Sequence, residues 1–332
     1  MLAGFNPSCR CAIFHPVITR MKILVTGSNG FVGRALCKRL ESEPELYEVV
    51  LSGRQRESVV DSCYIDLATV ADWSSCLTGV DVLVHLAAAV HGADGTSLEA
   101  VGHHARVNAY GTLQLAQQAA DAGIRRFVFV STIKVSGEET ESGKYFTTST
   151  TASPHGAYAL SKYQAEQGLF ELASRVAMEV VVVRPPLIYG PGVKANFRSL
   201  LGWAQKGLPF LVPAQSNTRT LVSVENLVDL LVVVLTHPAA RNQVLLAGDG
   251  ESLSTEELFS ILANALDRKP LFLRLPMRIV SLLETIWPAY RKLSRSLAVD
   301  IRPTQKLLEW TPPSDPRQAL IRTALAFREE GR

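Results

Sequence analysis

Lys22-Ile23-Leu24-Val25-Thr26-Gly27-Ser28-Asn29-Gly30-Phe31-Val32-Gly33 is the stretch that decides how the rest of this chain is read. The residues before Gly27 form an apolar, β-rich run. After Gly30, apolar residues recur at helical spacing through residue 43. A chain that leaves a strand, turns at once and enters a helix favours glycine, because side chains would block the turn or keep the backbone away from a ligand. The start of the helix also offers free N–H groups and the positive end of its dipole. Glycine stands at every third position, not in the Gly-x-Gly-x-x-Gly pattern. Between a strand and a helix, the trio reads as a cradle for the pyrophosphate of a dinucleotide, built from Gly27, Asn29, Gly30, Phe31, Val32 and Gly33.

Outward from that motif, β-rich runs alternate with helical stretches. Strands are expected at 23–26, 48–51, 63–65, 82–86, 127–130 and 179–183, and helices at 31–43, 70–77, 105–122 and 158–177. The alternation predicts an α/β fold: a Rossmann-type, doubly wound parallel sheet with helices on both faces. The runs at 82–86 and 179–183 are almost wholly apolar, as strands covered on both faces must be. Gly123 offers a left-handed stop to its helix. After Arg184 the pattern breaks at Pro185-Pro186 and Gly190-Pro191-Gly192. Shorter helices are expected at 227–235, 255–266 and 318–327. The expected organisation is an N-terminal extension at 1–20, a dinucleotide-binding domain at 21–185, and a smaller α/β substrate lobe at 186–332. That lobe is interleaved with the last strands of the sheet.

The end of the second strand selects the cofactor. An acid there would take the ribose 2′-hydroxyl. The chain has Leu51-Ser52-Gly53-Arg54-Gln55-Arg56 instead. Ser52 can donate to a 2′-phosphate and Arg54 can pair with it, so NADP(H) is preferred and NAD(H) remains the alternative. Arg54 and Arg56 also fit a plain solvated turn. Asp66-Leu67 suits the adenine, and the small Leu86-Ala87-Ala88 lets a dinucleotide cross the sheet edge.

The strand at 127–130 ends in Ser131-Thr132, and Tyr158 and Lys162 follow four apart, on one helix face. A free tyrosine has a pKa of about 10. A neighbouring ammonium lowers it towards a working base. Lys162 can also hold a nicotinamide ribose, while Thr132 bonds the reacting oxygen with support from Ser131. This set implies a proton moving beside a hydride.

With these residues in place, the chain resembles the extended short-chain dehydrogenase/reductases, in particular the NAD-dependent epimerase/dehydratase group acting on nucleotide sugars. The likeness covers about residues 21–330. It rests on Thr26 to Gly33, Leu86-Ala87-Ala88, Asn108 with Gly111-Thr112, Ser131-Thr132, Tyr158/Lys162, Arg184-Pro185, Tyr189-Gly190-Pro191-Gly192 and Leu308-Glu309-Trp310-Thr311-Pro312. It implies catalysis by Thr132, Tyr158 and Lys162, with Asn108 bracing the central helix. Arg184 and Pro185 would line the nicotinamide pocket. Asn196 and Arg219 match positions that bond the sugar-nucleotide phosphates, a task that suits the paired donors of a guanidinium. Arg219 also fits an ordinary loop arginine. His91, just past the fourth strand, is placed against the sugar. The likeness further implies a homodimer through a four-helix bundle of helices 105–122 and 158–177.

Related dehydratases carry Asp-Glu directly after the threonine; here Ile133-Lys134 follow, which disfavours elimination and decarboxylation. Two chemistries remain for an NDP-hexose, with UDP expected as the nucleotide. They are reduction of a 4-keto-6-deoxy sugar for polysaccharide precursors, preferred on the Ser52/Arg54 reading, and 4-epimerisation of UDP-glucose or UDP-N-acetylglucosamine. A reductase of hydrophobic ketones and a non-catalytic dinucleotide sensor are the more distant alternatives.

The chain's 332 residues carry a net charge of +3, which gives no sign of nucleic acid. No run reaches the about 18 apolar residues of a membrane helix. The five cysteines, Cys9, Cys11, Cys37, Cys63 and Cys76, are scattered, suggest no disulfide framework and suit a reducing cytoplasm. No metal site is expected. Residues 271–298 mix apolar residues, including Trp287, with Arg291, Lys292 and Arg295. The segment reads as a buried or lid helix, or as one with weak peripheral contact to a membrane.

Overall fold

The computed structural model describes residues 20–53, 62–90, 97–286 and 288–331. The first half of the chain runs β1 (Met21–Thr26), α1 (Phe31–Glu41), β2 (Tyr47–Gly53), β3 (Ser62–Tyr64), α2 (Ser74–Leu77), β4 (Val82–His85), α3 (Leu98–His104), a π-helical turn (Ala105–Tyr110), α4 (Gly111–Asp121), β5 (Arg126–Val130), α5 (Gly156–Ala173) and β6 (Glu179–Arg184). The second half runs β7 (Leu187–Tyr189), α6 (Ala195–Lys206), β8 (Phe210–Pro213), β9 (Arg219–Ser223), α7 (Val224–Thr236), β10 (Gln243–Leu246), β11 (Ser252–Leu253), α8 (Thr255–Ala265), β12 (Phe272–Leu275), α9 (Met277–Ile286), α10 (Pro288–Ser294), α11 (Arg302–Leu308) and α12 (Pro316–Glu330).

The main sheet has seven strands in the order β10-β6-β5-β4-β1-β2-β3, all parallel. The chain steps outward from β1 to β3, then returns to the other side of β1 with β4. That reversal opens a crevice at the carboxyl ends of β1 and β4, where open α/β sheets take their ligands. Side chains alternate between the two faces. Ile23, Val25, Val82, Val84, Val181 and Val183 pack against α1 and α7; Leu24, Leu83, Phe127, Phe129, Val180 and Val182 pack against α2, α4 and α5. Burial on both faces explains the unbroken apolar runs and bears out the α/β reading.

The smaller elements form a three-stranded sheet, β11-β9-β7, and a parallel β8–β12 pair. α6, α8 and α12 close over them on a core of Phe197, Leu201, Phe259, Leu262 and Leu320. A capping box of Ser254 and Glu257 starts α8. After α11 the chain returns to the main core, where Trp310 is buried and its Nε1 donates to Asp229 at 2.6 Å.

Three expectations need correction. Only 74–77 of the helix expected at 70–77 is helical. The Gln118 amide on α4 accepts from the Trp73 N–H at 2.8 Å and donates to the Ala71 carbonyl at 2.9 Å, taking backbone groups that a helix would need. The helix expected at 105–122 begins earlier, at a Ser97 cap, and contains the π turn around Asn108. It ends as anticipated at Gly123 (φ +82°), with Gly123 and Ile124 donating back to Ala120 and Ala119. Third, the fold turns β3 back over α2 and joins Cys63 to Cys76 in a disulfide with Cα atoms 5.7 Å apart, so two cysteines that looked scattered are partners. Cys37 is buried and free, while Cys9 and Cys11 lie outside the described residues. Among the described residues no helix is long and apolar enough to cross a membrane.

Candidate active site

The glycine loop stands at the crevice between β1 and β4. Gly27 has φ +68°, and a Cβ there would sit 2.8 Å from the Ala87 nitrogen; the loop therefore packs directly on the Leu86-Ala87-Ala88 end of β4. A Cβ on Gly33 would lie 2.2 Å from the Gly27 carbonyl oxygen, so α1 can start this close to the turn only with glycine there. No side chain caps α1, and its first turn holds no acid, which leaves its first N–H groups free for an anion. Asn29 lies beside the end of β2, its Nδ2 at 3.2 Å from where a Cβ of Gly53 would be. Together with the Ser131 hydroxyl, buried without a hydrogen-bond partner beyond β5, these features fit a dinucleotide lying across the sheet edge.

The 2′-phosphate reading fares differently. Ser52 is buried inside the end of β2, and its carbonyl oxygen takes both the N–H and the hydroxyl of Ser28. Ser52 thus holds the loop, and its burial leaves it poorly placed to meet a phosphate. Arg54 and Arg56 lie outside the described residues, as do His91 and Trp287. Asp66 accepts from the Ala68 N–H at 3.0 Å, and Leu67 is buried where a Cβ on Gly111 would strike its carbonyl oxygen at 2.3 Å.

Thr132 is buried in extended backbone, and its Oγ1 accepts from the Lys134 N–H at 3.3 Å. Tyr158 and Lys162 share a face of α5. Lys162 is fully enclosed: its Nζ donates to the Val130 carbonyl at 2.9 Å and lies 4.3 Å from the centre of the Phe129 ring. Burial pulls its pKa down to about 7, with Glu166 one turn further along α5 pulling the other way. Burial also pushes the Tyr158 phenol up to about 12. The expected lowering of Tyr158 by Lys162 is therefore absent in this state; desolvation of the phenolate prevails.

The low Lys162 pKa has a consequence for stability. Between pH 7 and the ordinary lysine value of 10.5, the unfolded chain holds a proton that the folded chain has released. Stability contributed by this group therefore rises with pH across that window. Lys162→Met should remove that part of the slope. Denaturant titrations of both proteins at pH 6.5, 8 and 9.5 would check it, and equal slopes would refute it.

Of the surroundings of this pair, Asn108 was named from the resemblance, whereas His85 and His104 were not legible in the sequence. Asn108, at the π turn, accepts from the Ala89 N–H at 2.8 Å and donates to the Ala89 carbonyl at 3.0 Å and to Ser161 Oγ at 3.1 Å. It thereby ties the end of β4 to α5. His104 sets its ring edge-on to Tyr158, with centroids 6.1 Å apart. His85, buried in β4, lies 2.7 Å from Thr26 Oγ1 and 2.9 Å from Thr112 Oγ1, and burial lowers its pKa to about 3, so it bridges them uncharged. An exposed histidine in a strand and a buried one read alike in sequence.

Arg184 and Pro185, expected to line the nicotinamide pocket, are each fixed by bonds within the protein. The Arg184 guanidinium donates to the buried Glu166 carboxylate at 2.5 and 3.0 Å and to Ser136 Oγ at 3.4 Å. The Pro185 carbonyl accepts from the Ile133 N–H at 2.9 Å and thus fixes the turn after Thr132. In the smaller lobe, Asn196 is exposed near the start of α6, beside Phe197, whose ring stacks on Tyr189 at 5.5 Å. Arg219 is buried at the start of β9. Its Nη1 donates to the Arg295 carbonyl at 2.9 Å, and among the described residues it meets no carboxylate. Burial lowers its pKa to about 10, which leaves it a cation. A cavity of about 240 Å³ between β8 and α8, lined by Asn217, Thr255 and Arg274 among others, includes none of the catalytic candidates.

This site is the one expected of a dinucleotide-dependent enzyme, and the chain belongs to the NAD dependent epimerase/dehydratase family, whose model matches residues 23–248. It is 40% identical to a UDP-glucose 4-epimerase of Vibrio cholerae over 92% of this chain and 95% of that protein. In fold it is similar to a UDP-glucuronic acid 4-epimerase from Bacillus cereus, solved with UDP-glucuronic acid and NAD (TM-score 0.76, 21% identity, 93% of this chain and 100% of the other). It is also similar to a UDP-glucose 4-epimerase from Thermotoga maritima with UDP-glucose (TM-score 0.73, 20% identity, 94% and 100%).

Proposed function

We propose that this enzyme is a 4-epimerase of UDP-hexoses that works with a nicotinamide dinucleotide held at Gly27–Gly33. The observation that carries this reading is Arg219, a buried cation that meets no carboxylate among the described residues. A diphosphate supplies the missing charge. The dinucleotide, when bound, gives and takes the hydride. Tyr158, once it has released its own proton against the burial that raises its pKa, takes the proton of the C4 hydroxyl as phenolate and later returns it to the C4 oxygen. Thr132 holds that oxygen by a hydrogen bond, and Lys162 is fixed one turn along α5 by the Val130 carbonyl. The Vibrio cholerae relative supports epimerisation over net reduction. Exposed Tyr110 and Leu160 on the helices named for a four-helix bundle suit a homodimer.

One observation still favours a second reading. No acid stands at the end of β2, where NAD-selective relatives would hold the ribose, so NADP(H) and reduction of a UDP-4-keto-6-deoxy sugar remain the alternative. Incubation with UDP-glucose and UDP-N-acetylglucosamine, without added cofactor, should give the C4 epimers. NADPH consumption by the keto sugar, with no epimer formed from either UDP-sugar, would reverse the order.

Arg219→Met keeps the bulk of the side chain and removes the charge. It should raise KM for a UDP-hexose about tenfold or more, with a smaller effect on kcat. Steady-state kinetics read this directly. An unchanged KM would remove Arg219 from the substrate site.

A further inference from the structure

α9 turns an apolar stripe away from the protein. Ile279, Leu282 and Ile286 are 45%, 59% and 71% exposed, and they follow one another at i, i+3 and i+7, so they share one line of the helix. Val280, fully buried, anchors the other side. Leu271 and Leu273, just before α9, are also more than half exposed, at 51% and 53%. Amphipathic helices of folded proteins turn such a stripe inward; this one has it facing out.

The charge around the stripe is one-sided. Residues 267–295 hold seven Lys or Arg against two acids, Asp267 and Glu284. Glu256, Glu139 and Glu284 hold Arg274, Arg291 and Arg295. Among the described residues, Arg268, Lys269, Arg278 and Lys292 meet no carboxylate. Arg278 stands four residues before Leu282, so a free cation adjoins the stripe. A second copy docking through the same face would set these cations against their own kind. An anionic lipid surface takes both the apolar line and the charge.

We propose that α9 and the segment leading into it from Arg268 rest on an anionic membrane surface. Ile279, Leu282 and Ile286 dip into the boundary between headgroups and acyl chains, and Lys269 and Arg278 lie against the lipid phosphates. α9 has ten residues, so it lies in the surface and does not cross it. α10 joins this face to the catalytic half through the ion pair of Arg291 with Glu139, in the loop beyond Thr132.

The test is sedimentation of the full chain with phosphatidylcholine vesicles, with and without phosphatidylglycerol. The chain should pellet with the anionic vesicles and stay in solution with the neutral ones. L282E/I286E changes two exposed side chains, so it should keep its circular dichroism and its turnover of soluble UDP-hexose. Its vesicle affinity should fall about tenfold or more. Wild-type protein that stays in solution with anionic vesicles, or a double variant that pellets as well as wild type, overturns the proposal. So does a wild-type dimer that the double variant turns into monomers with no vesicle binding in either, because the stripe would then cover a second copy.

Discussion

Tyr158→Phe is expected to lower kcat about a thousandfold while KM for the UDP-hexose changes little. The substitution removes one oxygen and leaves the ring, so its edge-on packing with His104 persists and the fold is kept. What disappears is the group that exchanges a proton with the C4 oxygen. The cost is large because Lys162 is spent on the Val130 carbonyl, and Thr132, whose hydroxyl already accepts from Lys134, has an ordinary alcohol's poor acidity. Single-turnover and steady-state rates, beside a circular dichroism control, measure the effect. A phenylalanine variant that retained a tenth of wild-type kcat would show that proton transfer runs through some other group.

Glu166→Gln should lower unfolding stability by about 3–5 kcal/mol, because it strands a buried guanidinium. Glu166 is fully buried on α5 and holds Arg184 at the end of β6 through two hydrogen bonds. The amide can accept only one of them and carries no charge. Arg184→Met should cost a similar amount for the mirror reason. Glu166→Leu with Arg184→Met should recover much of the loss, since apolar groups of similar volume often replace a buried pair at little cost. Urea midpoints of the three variants decide the matter. Single losses below about 1 kcal/mol would mean that water reaches the pair.

Much of the sheet was legible before any coordinates. The strands at 23–26, 82–86 and 179–183 are apolar for the same reason that they are central: helices cover both faces. Gly27 and Gly33 were legible because backbone approach leaves glycine no substitute. The misreadings share a different cause, which is side chains whose work depends on distant partners. Gln118, on another helix, takes the backbone groups of Ala71 and Trp73 that a helix over 70–77 would need. Cys63 and Cys76 meet only after β3 folds back over α2. Tyr158 and Lys162 were found by their spacing, but spacing carries no information about desolvation. Burial, not the neighbouring amine, sets the phenol's pKa in this state.

The seventh strand of the main sheet also bears on how the chain is made. β10 pairs with β6 through residues 243–246 and 181–184, with β7 to β9 and α6 and α7 between them. A ribosome that has released everything up to β6 has therefore released a six-strand platform with an open flank of Val180 to Val183, ready to template a neighbour. That flank stays open until about sixty further residues have emerged, so a cut between the two halves would leave the first half sticky and the second half without a strand to close on.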